Sequence, residues 1–402
     1  MTSPTKPLRL LIVTQHYHPE TMATGRRARE LAEDFAAAGH HVTVLTGQPN
    51  HPASVGRGVR RQPAVERPAP RLEIRRVSVL SDPGAAHHRR LLTYASFAGA
   101  AVIRGVLARR RFAAVIAISP LPTGVAAAII AATRRAPLVF DLQDVWPESA
   151  TIAGAVRQGP AYGLLEWVER ALYRRCTAVT VITHGFERRL VARGIDPARV
   201  HFIPNGVDTD LFRSNIAASK RPGYTIAFAG NMGLMQDLDT ALDAAKLLAG
   251  EAVRFILVGD GVRRPHVRQR VAAESISNVE LLASQPREQI PGLLASADAA
   301  LVCLIDRPLF EITTPSKVHE AMAAARPILC GVAGETSAMV EEIGCGVTYR
   351  PGEPASLAAA VRRLRSADGE ALGRRGREWV EAHATRSMVT RRFLDVVERI
   401  AR

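Results

Sequence analysis

The sequence predicts an α/β protein built from two Rossmann-like domains, and three observations predict it. Short apolar runs of strand character alternate along the chain with helical patterns, the order that builds parallel sheets. The 402 residues are enough for two domains of ordinary size. A polar stretch at 214–223 reads as a linker, and beyond it the alternation starts afresh. Hydrophobic content of 47% against 23% charged residues excludes a disordered chain.

Residues 8–20 predict a buried strand running into a loop. Gly25 precedes a helix from about Arg26 to Ala38, Gly39 ends it, and 41–46 form the second strand. No GxGxxG follows the first strand, so no dinucleotide fingerprint is claimed. Residues 48–70, rich in Pro, Gly and Arg, read as a long exposed loop, and 71–79 as a strand. Residues 87–112 predict a helix with basic ends and an apolar middle, either a core helix or an interfacial one touching lipid. A strand (113–119), an Ala-rich helix from Thr123 and a strand (137–143) follow. Asp144 falls at the C-terminal end of that last strand, where open α/β sheets place ligands; an Asx cap before the turn at Pro147 is the alternative. A helix (161–175), a strand (178–183), a helix carrying Arg188 and Arg189, and a strand ending in PNGVD close the first half.

The second half opens with a strand, a loop (Gly230, Asn231, Met232, Gly233) and a helix, which would bring backbone N–H groups near an anion. Asp237 and Asp239 have the spacing of a metal pair, but they sit at a helix start, where acidic residues are favoured anyway. Strands at 253–261 and 278–284 lead to 297–305 and then to TPSKVHEAMAAARPILCG, 314–331. Here Thr314 reads as a helix N-cap, Pro315 as the first helical residue, and Arg326-Pro327 as the stop. Lys317 in the first turn opposes the helix macrodipole by roughly 0.3–1 kcal/mol unless an anion binds there. Glu320 follows on the same face, so the two residues match a diphosphate and ribose hydroxyls, or else form a solvated ion pair. Only Lys6, Lys220, Lys246 and Lys317 are lysines among 53 basic residues, which suggests a compact charge is needed at the helix mouth. Helices at 355–366 and 388–402 end the chain.

Cys176, Cys303, Cys330 and Cys345 lack metal-site spacing, and reduced core thiols are the expectation. No secretory leader pattern and no apolar 18-residue run occur, so a cytoplasmic protein is expected, with peripheral attachment to the inner membrane face left open. Net charge is +15, and residues 1–205 hold 28 basic against 14 acidic residues, so almost all the excess lies there. Anionic lipid, an anionic substrate or nucleic acid would each account for that asymmetry, but no helix-turn-helix or aromatic-rich basic motif speaks for nucleic acid.

PSKVHEAMAAARPIL resembles the donor-site segment of family 4 glycosyltransferases of the GT-B fold. It is closest to the branch that builds bacterial surface polysaccharides, including aminosugar (fucosamine-type) transferases. DLQDVWPESA resembles that family's DLWPES segment, QPNHP its acceptor-side loop, and PNGVD its domain junction. The family has two Glu separated by seven residues. Glu320 matches the second, whereas Ile312 stands at the first, with Glu311 one place off. Gln143 stands where many relatives have His, and Asn231 and Gln236 where relatives carry Arg and Lys. His184 falls where relatives often have a Ser-Glu pair, so its role is open.

The resemblance implies two domains facing a cleft: an acceptor domain over 1–205, a donor domain over 206–385, and a final helix over 386–402 that returns to the first. It implies retaining transfer of a sugar, such as an N-acetylated aminosugar, from a nucleotide sugar, with UDP the expected nucleotide and no metal. Gly25, Gly230, Asn231, Gly233, Ser316, Lys317 and Glu320 are the donor-binding candidates, and Asp144 is the catalytic one. A polyprenyl-diphosphate-linked sugar is the implied acceptor and nucleic acid is not a partner. A soluble small-molecule acceptor, or an epimerase or hydrolase of the same fold, are the alternatives.

Overall fold

The protein is represented by a computed structural model, which describes residues 6–20, 22–50, 61–80, 89–108, 110–152, 154, 156–219 and 221–401, without the side chains of Arg89 and Arg90. The chain divides into two compact units, Met1–Pro204 with Val389–Arg402, and Asn205–Met388.

The first unit runs β1 (Arg9–Val13), α1 (Ala23–Ala37), β2 (His41–Gly47), β3 (Val65–Ala69), β4 (Leu72–Val77), α2 (Arg89–Val106), β5 (Ala114–Ile118), α3 (Leu121–Arg134), β6 (Leu138–Leu142), α4 (Glu148–Ile152), α5 (Pro160–Arg175), β7 (Ala178–Val181), α6 (His184–Ala192) and β8 (Val200–Phe202). The sheet order is β3-β4-β2-β1-β5-β6-β7-β8, parallel except for the β3–β4 pair. Central strands such as LLIV in β1 and AVIAI in β5 are buried on both faces, as parallel strands between helix layers must be. Strand order reverses between β1 and β5, so the crevice at their C-terminal ends is a topological switch point.

Several expectations need correction. The loop reading of 48–70 misses β3, because VERPA is polar and contains Pro; it is the sheet's edge strand, where a residue without an N–H is tolerated. (Residues 51–60 of that stretch lie outside the described residues, as do 81–88 and 109.) The helix read over 87–112 is α2 and ends at Val106; Phe112, buried, already leads into β5. α1 begins at Ala23, so Gly25 is inside the helix and not ahead of it.

The second unit runs β9 (Tyr224–Ala229), α7 (Leu238–Leu247), β10 (Val253–Val258), α8 (Arg264–Ala273), β11 (Val279–Leu282), α9 (Ile290–Ser296), β12 (Ala299–Cys303), α10 (Ser316–Ala323), β13 (Ile328–Gly331), α11 (Glu335–Ile343), β14 (Gly346–Thr348), α12 (Pro354–Arg365) and α13 (Gly369–His383). Its sheet is parallel with order β11-β10-β9-β12-β13-β14, the Rossmann order, and the switch point lies between β9 and β12. Phe228, Phe255, Leu257 and Leu301 meet Leu242, Leu357 and Val361 in one core. All four cysteines are free and buried, and burial pushes each thiol up to about 12.

The last helix, α14 (Arg386–Ile400), starts in the second unit and buries its apolar face in the first. Val389, Phe393, Leu394, Val396 and Val397 join Leu10, Leu31, Phe35 and Val44 in one cluster, and the Phe35 and Phe393 rings lie 6.0 Å apart. Each such side chain contributes roughly 1.5–3 kcal/mol when fully buried. His40 and Glu398 add a buried pair at 3.3 Å.

Candidate active site

At the C-terminal end of the second unit's sheet, three elements meet at Lys317. β9 ends in the loop of Gly230 and Asn231; α10 supplies Lys317 from its first turn; and the segment ahead of α7 supplies Gln236. Lys317 Nζ donates to Gln236 Oε1 at 2.8 Å and lies 3.9 Å from the centre of the Phe228 ring. Among the described residues no carboxylate makes an ion pair with it. Removal of the ammonium from water lowers its pKa to about 8, against smaller opposing effects of Cys303 and Glu320. A half-buried lysine held by a neutral amide and a ring face has no anion of its own.

Gly230 makes room for the lysine's stem by having no side chain. Its φ is +142°, and a Cβ there would stand 2.5 Å from Lys317 Cε. The loop is pinned on its other side, where Gly230 N donates to Val258 O at 2.9 Å and Met232 N to Asp260 O at 2.8 Å. A Cβ on Gly233 would meet Asn231 Nδ2 at 2.7 Å, so Gly233 and Asn231 are packed together.

α10 starts at Ser316 with Pro315 at the cap position, one residue later than the sequence reading. Thr314 does not cap it; its hydroxyl lies 3.3 Å from that of Thr336. Among the described residues no side-chain hydrogen bond caps the helix, which leaves the Ser316 and Lys317 N–H groups of its first turn for an acceptor from outside it. The Lys317–Glu320 ion pair considered from sequence does not form. Glu320 turns to Arg287, 3.6 Å away, whose guanidinium lies 5.3 Å from the centre of the Phe212 ring. Behind the same helix His319 is buried, stacks on Trp379 at 5.9 Å and is held neutral, its pKa lowered by burial to about 4. The suspected acidic pair is committed elsewhere. Asp237 Oδ2 accepts from Gly352 N at 2.8 Å, and Asp239 binds Arg263, His266 and Arg270.

Asp144 and Gly25 belong to the first unit. Asp144 follows β6, and its Oδ2 accepts from the Trp146 indole at 3.0 Å and from the Ser149 hydroxyl at 3.4 Å. Oδ1 is buried without a partner among the described residues. Burial raises the carboxyl's pKa against the hydrogen bonds of Trp146, Ser119 and Ser149. Gly25 packs its bare Cα on the β1–α1 loop, where a Cβ would lie 3.3 Å from the His16 carbonyl carbon. The glycine is thus accounted for by packing.

The domain models of two families match in succession: "Glycosyl transferase 4-like domain" over residues 23–206 and "Glycosyl transferases group 1" over 223–367. The chain belongs to the GT-B glycosyltransferases. Within this superfamily it is 27% identical to the probable glycosyltransferase WbjE of Pseudomonas aeruginosa over 58% of its own length and 61% of that protein's, so it spans about three-fifths of that relative. It is 25% identical to the putative colanic acid biosynthesis glycosyl transferase WcaI of Escherichia coli, covering 90% of this chain and 92% of that one. Among solved structures, sucrose-phosphate synthase from Thermosynechococcus elongatus superposes with a TM-score of 0.77 at 18% identity, covering 98% of each chain. Anabaena HepE in complex with UDP gives 0.71 at 15%, covering 98% of this chain and 100% of that one.

Sequence reasoning on this GT-B chain missed three residues. Gln236, noted only as a lost charge, is the lysine's acceptor. Asp141, fully buried in β6, takes a two-pronged ion pair from Arg27 at 2.7 and 3.0 Å and a hydrogen bond from Thr180 at 2.7 Å. Gln143, in the place of the relatives' His, donates to the same carboxylate at 2.8 Å. A carboxylate inside the apolar run PLVFDL was the available signal, since a buried charge demands a partner.

Proposed function

We propose that the protein transfers a glycosyl group from a nucleotide-diphosphate sugar, UDP-linked, with retention, in the assembly of a surface polysaccharide or glycolipid. One observation carries the reading: Lys317, desolvated and without a carboxylate partner among the described residues, stands at a helix start whose cap residue offers no side-chain acceptor, its stem packed against the bare Cα of Gly230. A diphosphate there would give the ammonium its counter-charge and the helix N–H groups their acceptors. As the glycosidic bond to phosphate breaks, negative charge grows on the departing diphosphate, and Lys317 would stabilise it. Glu320 suits ribose hydroxyls, and Asp144 suits the acceptor hydroxyl. The HepE structures with UDP and UDP-glucose, and the polysaccharide setting in the name of WcaI, support the same donor and product classes. An aminosugar donor remains part of the proposal through the motif resemblance.

The acceptor we propose is a polyprenyl-diphosphate-linked sugar met at the inner membrane face by the first unit. No helix among the described residues is long and apolar enough to cross a membrane. α2 nevertheless exposes Leu92, Ile103 and then Leu107 just past its end, at 63, 63 and 70%. The spacing puts them along one helix face, as an interfacial helix would have them.

The test is a thermal-shift screen against UDP- and GDP-sugars. It is followed by assay of UDP release from the stabilising donor with and without a lipid-linked acceptor, in EDTA. Acceptor-dependent release that survives EDTA is the expected result. Release of free sugar without acceptor would replace the proposal with a hydrolase, and EDTA-abolished activity restored by magnesium would overturn its metal-independent form.

A further inference from the structure

Two cavities lie at the opposite end of the first unit's sheet from Asp144. One, of 490 Å³, is lined by Arg9, Arg67, Arg71 and Arg110 around Glu73; the other, of 290 Å³, by Arg75, Arg104 and Arg110, and they share Thr43, Arg110 and Phe112. Arg9, His41 and Leu72, which line the first, are the opening residues of β1, β2 and β4, whereas Asp144 follows the last residue of β6. The strands are parallel, so five residues of strand, about 17 Å, separate the two edges.

The charge there is one-sided. Six arginines and one carboxylate line the two cavities. Glu73, buried, is already saturated: it takes Arg67 at 2.9 Å and Arg75 at 2.5 Å, with Arg110 at 3.7 Å. Arg71 donates to the Gly39 carbonyl at 2.5 Å, and Arg9 and Arg104 have no carboxylate among the described residues. Glu73 therefore organises the guanidinium groups without neutralising them. Their planar forks suit the oxygens of a phosphate, and several like charges around one hollow repel until an anion enters.

From this geometry we infer that the arginine-lined groove around Glu73 is a second anion site that binds phosphate or diphosphate esters, apart from the nucleotide site. It goes beyond the transferase reading and does not depend on it. Exposed Leu107 borders the smaller cavity, so an ester with an apolar tail can lay its tail against α2 while its phosphate sits among the arginines. A free phosphate ester offers the same chemistry without the tail.

The test uses the full chain and two probes, inorganic pyrophosphate by calorimetry and phosphatidylcholine vesicles with or without phosphatidylglycerol by co-sedimentation. The variant is Arg9→Gln/Arg110→Gln, and its charge-matched control is Arg29→Gln/Arg135→Gln, on exposed residues outside the groove. Pyrophosphate binding retained in Lys317→Ala but weakened at least tenfold in the groove variant shows a site for free phosphate esters. Binding to phosphatidylglycerol vesicles weakened about thirtyfold in the groove variant and not in the control shows a headgroup site, at the strength expected for two basic residues near an anionic leaflet. If the groove variant matches its control with both probes, the inference is wrong.

Discussion

Replacing Lys317 by Met should weaken nucleotide-sugar binding and, at the same time, stabilise the free protein. Burial lowers the ammonium's pKa from 10.5 to about 8, which corresponds to about 3 kcal/mol against holding the charge in the empty site. The sign follows from linkage. The folded pKa is below the unfolded one, so the penalty is fully present below about pH 8 and is relieved as pH rises toward 10.5. Lys317→Met removes the penalty and lays a thioether stem against Phe228, so its unfolding midpoint at pH 7 should rise. A bound diphosphate lifts the lysine's pKa, so wild-type affinity should hold up to about pH 8 and fall about tenfold from pH 7 to pH 9, with proton uptake on binding rising from about 0.1 at pH 7 to about 0.9 at pH 9. The variant should bind about ten- to hundredfold more weakly at pH 7, the loss of a hydrogen bond to a charged group. It should also lose this lysine-linked fall with pH. The assay is titration calorimetry with UDP-glucose in buffers of different ionisation enthalpy, beside thermal unfolding of the free proteins. Wild-type affinity that follows the same pH profile as the variant's, or a variant less stable than wild type, would refute the reasoning.

Glu320→Gln should weaken nucleotide binding about tenfold while thermal unfolding stays unchanged; equal affinity would remove Glu320 from the nucleotide site. Gly230→Ala combines a φ of +142° with a Cβ 2.5 Å from Lys317 Cε. It should cost about 1–3 kcal/mol of stability and displace the lysine, read as a lower unfolding midpoint together with lost nucleotide affinity. Asp144→Asn should lower kcat about a hundredfold with donor affinity intact, and wild-type turnover would remove Asp144 from the chemistry. Asp141→Asn leaves Arg27 buried without its counter-charge, so the first unit should lose about 3–5 kcal/mol in denaturant unfolding.

The alternation of apolar runs was enough to read both sheets, because parallel strands buried on two faces are written as unbroken hydrophobic stretches. Edge strand β3 was not legible for the converse reason: VERPA, exposed and paired on one side only, carries no such stretch. At the site, Lys317 stood out because a cation at a helix start is locally unfavourable. Its acceptor did not, since Gln236 is 81 residues away and a glutamine gives no charge signal. The same distance problem hid the Arg27–Asp141 pair, separated by 114 residues. For Glu320 the spacing suggested a partner on the same helix, but Arg287 from another segment competes for it, and side-chain reach between segments is not encoded in a local pattern.

The chain leaves the first unit after Pro204 and re-enters it at Val389, and Val207 pairs with the backbone of 384–386 beside those crossings. The second unit is thus an insertion within the first, and the ribosome makes the parts in an awkward order. Phe35, Leu31 and Leu10 emerge early, but the helix that covers them is synthesised after the whole second unit. During translation the nascent first half therefore presents an apolar face over some two hundred further residues of elongation, on the order of 10 to 40 seconds at about 5–20 residues per second. A stop codon before Val389 would leave that face open for good while leaving most of the second unit's own core intact. Such a truncated chain should depend on chaperones, and the defect should be repaired by supplying residues 386–402 as a separate peptide.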